Sequence, residues 1–129
     1  MQVYEKILVV QQDDLDELNH VNNIRYLDWV QQVSRDHWEK VTTPEIRAKL
    51  LWVVRKHEIN YLKSALLGDV LKIKTQIIAQ TGPISKRIVE IRNNKTDALL
   101  VKASTEWCLL DATSFKPKRV PREITSLFE

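Results

Sequence analysis

Glycine is almost missing from this chain: Gly68 and Gly82 are its only two. A loop that cradles phosphate with successive backbone N–H groups needs several closely spaced glycines, so P-loop and dinucleotide-binding readings fall away. Cysteine is scarcer still. Cys108 stands alone, which excludes an internal disulfide and any cysteine-built zinc site. A free thiol fits a reducing compartment. No two histidines have ligand spacing, so no metal is expected. No apolar run approaches the roughly 20 residues of a membrane span. The first ten residues, MQVYEKILVV, lack a charged segment followed by an apolar stretch of signal length. The expectation is a cytoplasmic protein without a membrane partner. Charge of one sign is lacking too: the net charge is +3, with both signs interspersed. The densest basic cluster, Lys116, Lys118, Arg119 and Arg122, reads as a solvated tail, with a patch for ligand phosphates as the alternative. Arginines clustered with aromatic platforms, which a nucleic-acid binder would need, are absent.

What remains is 129 residues, the length of one domain, 1–129. A chain of this size buries roughly two thirds of its unfolded surface and needs no staples. Residues 3–11 are rich in β-branched side chains and predict a strand. Residues 22–40 contain neither Gly nor Pro, and Ile24, Leu27, Val30, Val33 and Trp38 recur at roughly helical spacing, which predicts one long helix. Thr43-Pro44-Glu45 is a second helix start, with Thr as the cap and Pro in the first position; that helix ends near Leu50. The period then changes to two. Strands are expected over 51–62, 70–80, 84–92 and 98–110, with turns at Thr81-Gly82-Pro83 and Asn93-Asn94-Lys95. Leu71, Ile73, Ile77 and Ala79 should share one face of the second of these strands. Pro121 is placed to open a last short helix. Short turns imply an antiparallel sheet. Such a sheet needs one face covered, and the 22–40 helix is the only large element available to cover it. The class is α+β, a sheet wrapped around a helix, with edge strands open to another chain.

One stretch exceeds structural need. DLDELNHVNN, residues 14–23, gathers carboxylates, a histidine and three asparagines between an apolar strand and the long helix. A turn and a cap use one or two such residues.

The sequence Asp14-Leu15-Asp16-Glu17-Leu18-Asn19-His20-Val21-Asn22-Asn23-Ile24-Arg25-Tyr26 resembles the D-x-D-x-x-[GN]-H-V-N-N-x-x-Y junction of hotdog-fold thioesterases, above all the 4-hydroxybenzoyl-CoA thioesterase-like acyl-CoA group. It is also similar to the acyl-ACP thioesterases. The segments HEINYLKSALLGDVLKI (57–73) and KPKRVPREI (116–124) extend the similarity over nearly the whole chain. The chain departs from the family in having Asn19 where the acyl-CoA group usually has Gly, and Leu18 where the acyl-ACP group has Asn. The resemblance implies a hotdog fold, a curved antiparallel β-sheet wrapped around a long central α-helix. It also implies thioester hydrolysis in a cleft between two subunits, in a homodimer or a tetramer of hotdog dimers. The substrate would be an acyl-CoA or acyl-ACP, whose pantetheine belongs to the substrate, so no cofactor is expected.

Such chemistry needs a carboxylate, oxyanion donors and a groove. The resemblance places the catalytic carboxylate at Asp16, as general base or as nucleophile; an Asp holding an Asx turn is the plainer alternative. It places the oxyanion donor at the backbone N–H of Asn23, where the first helical N–H groups have no intrahelical partner and the dipole favours negative charge. Asn22 is the candidate cap. His20 is assigned to the carbonyl or the carboxylate, with a purely structural role as the alternative. Tyr26 matches the motif tyrosine, and Trp29 or Val30 is expected along the acyl pocket, with core packing as the alternative. Leu18 is expected to turn inward. Glu58 matches a strand that carries a catalytic Glu in the plant enzymes, although alternation faces it to solvent. Arg55, Lys86 and Arg87 are expected to reach a CoA nucleotide's phosphates from the surface. His37 and His57 are read as structural. The rival function is a non-catalytic hotdog acyl-thioester-binding or regulatory protein.

Overall fold

The structure is a computed structural model describing residues 2–129. Strand β1 (Tyr4–Val9) leads through a short 3₁₀ turn (Gln12–Asp14) to helix α1 (Asn23–Val41), then α2 (Pro44–Lys49), β2 (Leu50–Tyr61), β3 (Val70–Thr81), β4 (Ile84–Asn93) and β5 (Leu99–Asp111). A helical turn, α3 (Arg122–Thr125), and a 3₁₀ turn (Ser126–Phe128) follow. Each expected element is found within about two residues of its predicted bounds. Among the described residues the strands form one five-stranded sheet in the order β1-β3-β4-β5-β2, every pair antiparallel. The ladders slip at Val54/Lys56, Ile77/Ala79 and Ile91/Arg92. Bulges bend and twist a sheet, and these three let it curve around α1.

The expected capping holds. Asn22 Oδ1 accepts from the N–H of Ile24 at 3.0 Å, and Thr43 Oγ1 from that of Ile46 at 3.3 Å. The helix face needs correction. Ile24 is 67% exposed, whereas Tyr26, Trp29, Val30, Val33, Ser34 and His37 are buried. Ile24 sits in the first turn, beyond the sheet's cover, and the buried stripe runs from Tyr26 through His37. Trp29 and Val30 pack in the core cluster with Leu71, Ile73, Val89, Ile91, Val101 and Ala103, so packing, not pocket lining, accounts for them. Each fully buried aliphatic there contributes about 1.5–3 kcal/mol. Ala79 leaves the inner face because the bulge after Ile77 resets the alternation.

A second cluster surrounds the far end of α1. Ile77, Leu50, Leu109, Val120, Ile124 and Phe128 are its buried members. Phe128 stacks on Trp38 with rings 6.2 Å apart and 5° from parallel, and meets His37 edge-on at 4.9 Å. No helix among the described residues is long and apolar enough to cross a membrane.

Candidate active site

Residues 15–21 form a miniature hairpin at the head of α1. Leu15 bridges Val21, and the Asp16 N–H donates to the His20 carbonyl at 2.8 Å. The tip closes on the Asp16 side chain, whose Oδ1 accepts from the N–H groups of Leu18 at 2.9 Å and His20 at 3.2 Å. This is an Asx-type turn. It leaves Oδ2 with no hydrogen bond or ion pair among the described residues, on a half-buried carboxylate. Asn19 has φ +62°, the left-handed region that Gly enters freely and Asn enters more readily than other residues. The turn therefore demands Gly or Asn, which accounts for the substitution at this position. Leu18 does not turn inward; at the hairpin tip it is 69% exposed.

The hairpin is fastened from three sides. The Arg25 Nε pairs with Asp14 Oδ1 at 3.0 Å, and its Nη2 donates to the Asp13 carbonyl at 3.0 Å. The Asn22 N–H donates to the Asp14 carbonyl at 2.9 Å, and that of Val21 to the Ala65 carbonyl at 3.1 Å. Tyr26 closes the circuit: its hydroxyl accepts from the Ala65 N–H at 2.8 Å. Tyr26 is only 2% exposed, so its expected place against substrate is corrected to an anchor for the 62–69 loop. Burial raises its pKa, with the Asp69 and Asp16 charges adding to the effect and the Ala65 hydrogen bond opposing it, so it stays a neutral phenol.

The Asn23 N–H, first in α1, makes no hydrogen bond among the described residues, and the residue is exposed beside the hairpin. Exposed apolar side chains lie on the junction and on the segment bonded to it: Leu18 and Ile24 from the junction itself, Tyr61 at the end of β2, and Leu62, Leu66 and Leu67 from the following loop, whose Ala65 bonds Val21. The Tyr61 hydroxyl lies 3.5 Å from the Asn23 carbonyl, at the outer limit of a hydrogen bond. His20 is exposed and has no side-chain partner among the described residues.

Asp16, His20, Asn22 and Asn23 thus come together, with Tyr26 anchoring the adjoining loop, and Arg55, Glu58, Lys86 and Arg87 do not join them. Glu58, Arg55 and Lys86 are exposed on strands, Arg55 as the extra residue at the β2 bulge. Arg87 is a correction. It is 5% exposed and shares the inner face of β4 with Ser85, Val89 and Ile91, while Lys86 points out. Adjacent strand residues face opposite ways, so these two cannot serve one surface. Arg87 lies beside His37, fourteen residues along α1 from Asn23, or roughly 21 Å at the rise of an α-helix.

His37 and His57 are structural, as expected. Arginine only donates, so His37 Nδ1 accepts from Arg87 Nη1 at 2.9 Å, and its Nε2–H donates to Gln2 Oε1 at 3.0 Å. Burial, then the charges of Arg87 and Lys40, lower His37 to about 4. His57 bonds Thr105 Oγ1 and Gln31, and burial lowers its pKa. Among the described residues no group of His, Cys, Asp and Glu is arranged to hold a metal. Sequence reasoning missed Arg25 and Ala65; a surface-type arginine and a lone alanine carry no signal for their anchoring roles.

A family model for the acyl-ACP thioesterase N-terminal domain matches residues 1–128. The chain is 31% identical over 84 residues to the acyl-CoA thioester hydrolase YbgC of Escherichia coli O6:H1, covering 63% of this chain and 60% of the relative. It is 25% identical over 88 residues to the chloroplastic palmitoyl-acyl carrier protein thioesterase of Gossypium hirsutum, covering 67% of this chain and 21% of the relative. The matches therefore span less than two thirds of either relative's length. The crystal structure of a probable thioesterase from Bartonella henselae superposes with a TM-score of 0.79 at 26% identity, covering 94% of this chain and all of that one. The sheet wrapped around α1 is the hotdog arrangement.

Proposed function

This chain belongs to the acyl-ACP thioesterase N-terminal domain family, and from that membership we propose that it hydrolyses the thioester of an acyl-CoA or acyl carrier protein to a free acid and a thiol. The observation that carries the reading is the junction itself: a carboxylate with one oxygen held and one free, next to an unspent helix-opening N–H. Asp16 Oδ1 is fixed by two backbone N–H groups, so Oδ2 is presented in one orientation. It takes a proton from water, or attacks the carbonyl carbon directly, breaking the C–S bond to expel the thiolate and leaving an Asp16 anhydride that water then hydrolyses. In the first route the water oxygen bonds to the acyl carbon, the C–S bond breaks, and the thiolate leaves and recovers a proton. The carbonyl oxygen, negative in the tetrahedral state, is met by the Asn23 N–H at the positive end of α1, an interaction worth a few kcal/mol, about 3, in the transition state. His20 stands at the hairpin edge beside the reacting carbonyl. The exposure of Leu18, Ile24, Leu62, Leu66 and Leu67 supports contact with the apolar part of the substrate.

The cleft is assigned to two copies of the chain. Among the described residues β2 pairs with β5 alone, so its outer edge is free, and Leu51, Val53 and Val54 on it are exposed. A long apolar edge is a template for a second strand, which supports a homodimer, alone or within a tetramer. Arg55 and Lys86 are assigned to the carrier's phosphates, and Glu58 to a polar contact on the same outward surface. Pantetheine enters as part of the substrate, so no separate cofactor is required. The free thiol of Cys108 supports a cytoplasmic location.

The Asx turn favours a second reading, in which Asp16 only folds the hairpin and the protein binds acyl thioesters without cleaving them. Thiol release from acyl-CoA and acyl-ACP substrates of graded length, measured alongside sedimentation, separates the two. The expected result is turnover by a dimer or larger assembly. Saturable binding without turnover would establish the second reading, and turnover by a monomer would refute the shared cleft.

A further inference from the structure

A cavity of about 290 Å³ lies at the opposite end of α1, near the lower end of the roughly 300–1,000 Å³ typical of small-molecule pockets. Trp38, Trp52 and Trp107 give it aromatic walls, and Arg35, Arg47 and Arg87 give it cations. Among the described residues no aspartate or glutamate lines it. Arg47 is spent on the end of α1, its Nη1 donating to the Glu39 and Thr42 carbonyls. Arg87 is different. Its Nη1 donates to His37 Nδ1 and, at 3.1 Å, to Thr75 Oγ1, both neutral acceptors. The Phe128 ring lies 5.8 Å from its guanidinium carbon, and no carboxylate pairs with it among the described residues. Burial lowers Arg87 to about 10, which leaves it charged at neutral pH. A buried cation without an anion is costly.

A second polar group in the same wall is also unanswered. The Trp107 indole N–H is buried and has no hydrogen-bond partner among the described residues. The register makes the two residues diagonal neighbours on one face: Ser85 pairs with Trp107 and Arg87 with Thr105. All four belong to one patch of paired strands in which diagonal neighbours lie about 7–8 Å apart. An anion with two acceptor oxygens answers both donors at once. A cation, an amine or a plain hydrocarbon answers neither.

We infer that this cavity binds a carboxylate carried on an apolar or aromatic body, with Arg87 as the ion-pair partner, the Trp107 indole as the second donor and the tryptophan faces against the body. Two sources share that chemistry. One is the far end of a carboxylated acyl group on a thioester, which rests on the hydrolase reading. The other is a free acid, which does not.

Intrinsic tryptophan fluorescence and calorimetry on the full chain test the site with octanoate and 4-phenylbutyrate against octanamide and 4-phenylbutyramide. The acids should bind saturably and about tenfold or more tighter than the amides. Arg87→Met should remove that preference and leave amide affinity unchanged. Trp107→Phe, which deletes only the indole donor, should weaken the acids several-fold and carries the test if the arginine variant does not fold. Equal binding of acids and amides, no acid binding at millimolar concentration, or an unchanged acid affinity in Trp107→Phe would overturn the proposal. Turnover of octadecanoyl-CoA against the CoA thioester of 17-carboxyheptadecanoate, whose acyl chain is long enough to span the roughly 21 Å between Asn23 and Arg87, separates the sources: preference for the carboxylated acyl group assigns the site to substrate, and equal turnover with inhibition by octanoate assigns it to the free acid. Acid binding without turnover of either thioester would sink the hydrolase reading and leave the site standing.

Discussion

The two ends of α1 spend their polarity in opposite ways. At the head, the charged groups are exposed or half-buried, Arg25 and Asp14 as an ion pair; Asp16 Oδ1 holds the N–H groups of Leu18 and His20, Tyr26 holds that of Ala65, and that of Asn23 has no partner among the described residues. At the tail, a guanidinium and an imidazole are enclosed, Arg87 at 5% exposure and His37 at 1%, and aromatic rings close over them. An open end of this kind suits chemistry that begins and ends with water. A closed end suits recognition, because a buried donor discriminates strongly against a ligand that leaves it unpaired. On the proposed reading, one helix divides two tasks along its length.

The difference predicts opposite sensitivities to acid and to deletion. The largest stability effect belongs to the tail. His37 is held at about 4 in the folded protein, below its ordinary 6.5, so between these values the unfolded chain binds the extra proton. Stability is complete above about pH 6.5 and declines towards pH 4, by about 3 kcal/mol from this residue. Urea unfolding at pH 7 and pH 4.5 should show the loss, and His37→Gln should flatten it. An unaltered acid limb in that variant would remove His37 as its source.

At the head, Tyr26→Phe tests the anchor. It strands the Ala65 N–H without its acceptor, which should cost about 1–3 kcal/mol in chemical denaturation and speed amide exchange in the 62–69 loop while the tail stays protected. A uniform change along the chain would contradict the separation of the two ends. The smallest effect is expected at Asn19. Its φ of +62° makes Asn19→Ala about 1 kcal/mol less stable and Asn19→Gly nearly neutral, readable as a shift in unfolding midpoint. If Ala and Gly behave alike, the hairpin tip is not under backbone constraint.

Much of the head was legible in the sequence because its signals are local. A cap and a junction motif lie within a few residues of one another, and Asn22 caps as its residue type dictates; past the other end of α1, Thr43 and Pro44 open α2 in the same local way. Asn19 needed a backbone angle, since the letter alone does not reveal a left-handed turn. Leu18 was misplaced because an apolar residue at a hairpin tip has no core within reach. The tail was less legible because its contacts are long in sequence: His37 meets Gln2 and Arg87, and Phe128 returns to Trp38. Strand alternation did carry the sign of Arg87, since Ser85, Arg87, Val89 and Ile91 share one face. What alternation does not carry is that the cavity beside them has no carboxylate of its own.

The most direct test of the division is Asp16→Asn. Asparagine keeps the Oδ1 that accepts the Leu18 and His20 N–H groups, so the hairpin survives and only the charge at the second position is lost. Acyl-CoA hydrolysis should fall by about 10²–10⁴-fold while the unfolding midpoint and octanoate binding at the tail stay unchanged. Wild-type turnover in the folded variant would show that the carboxylate at the open end of α1 does not perform the chemistry.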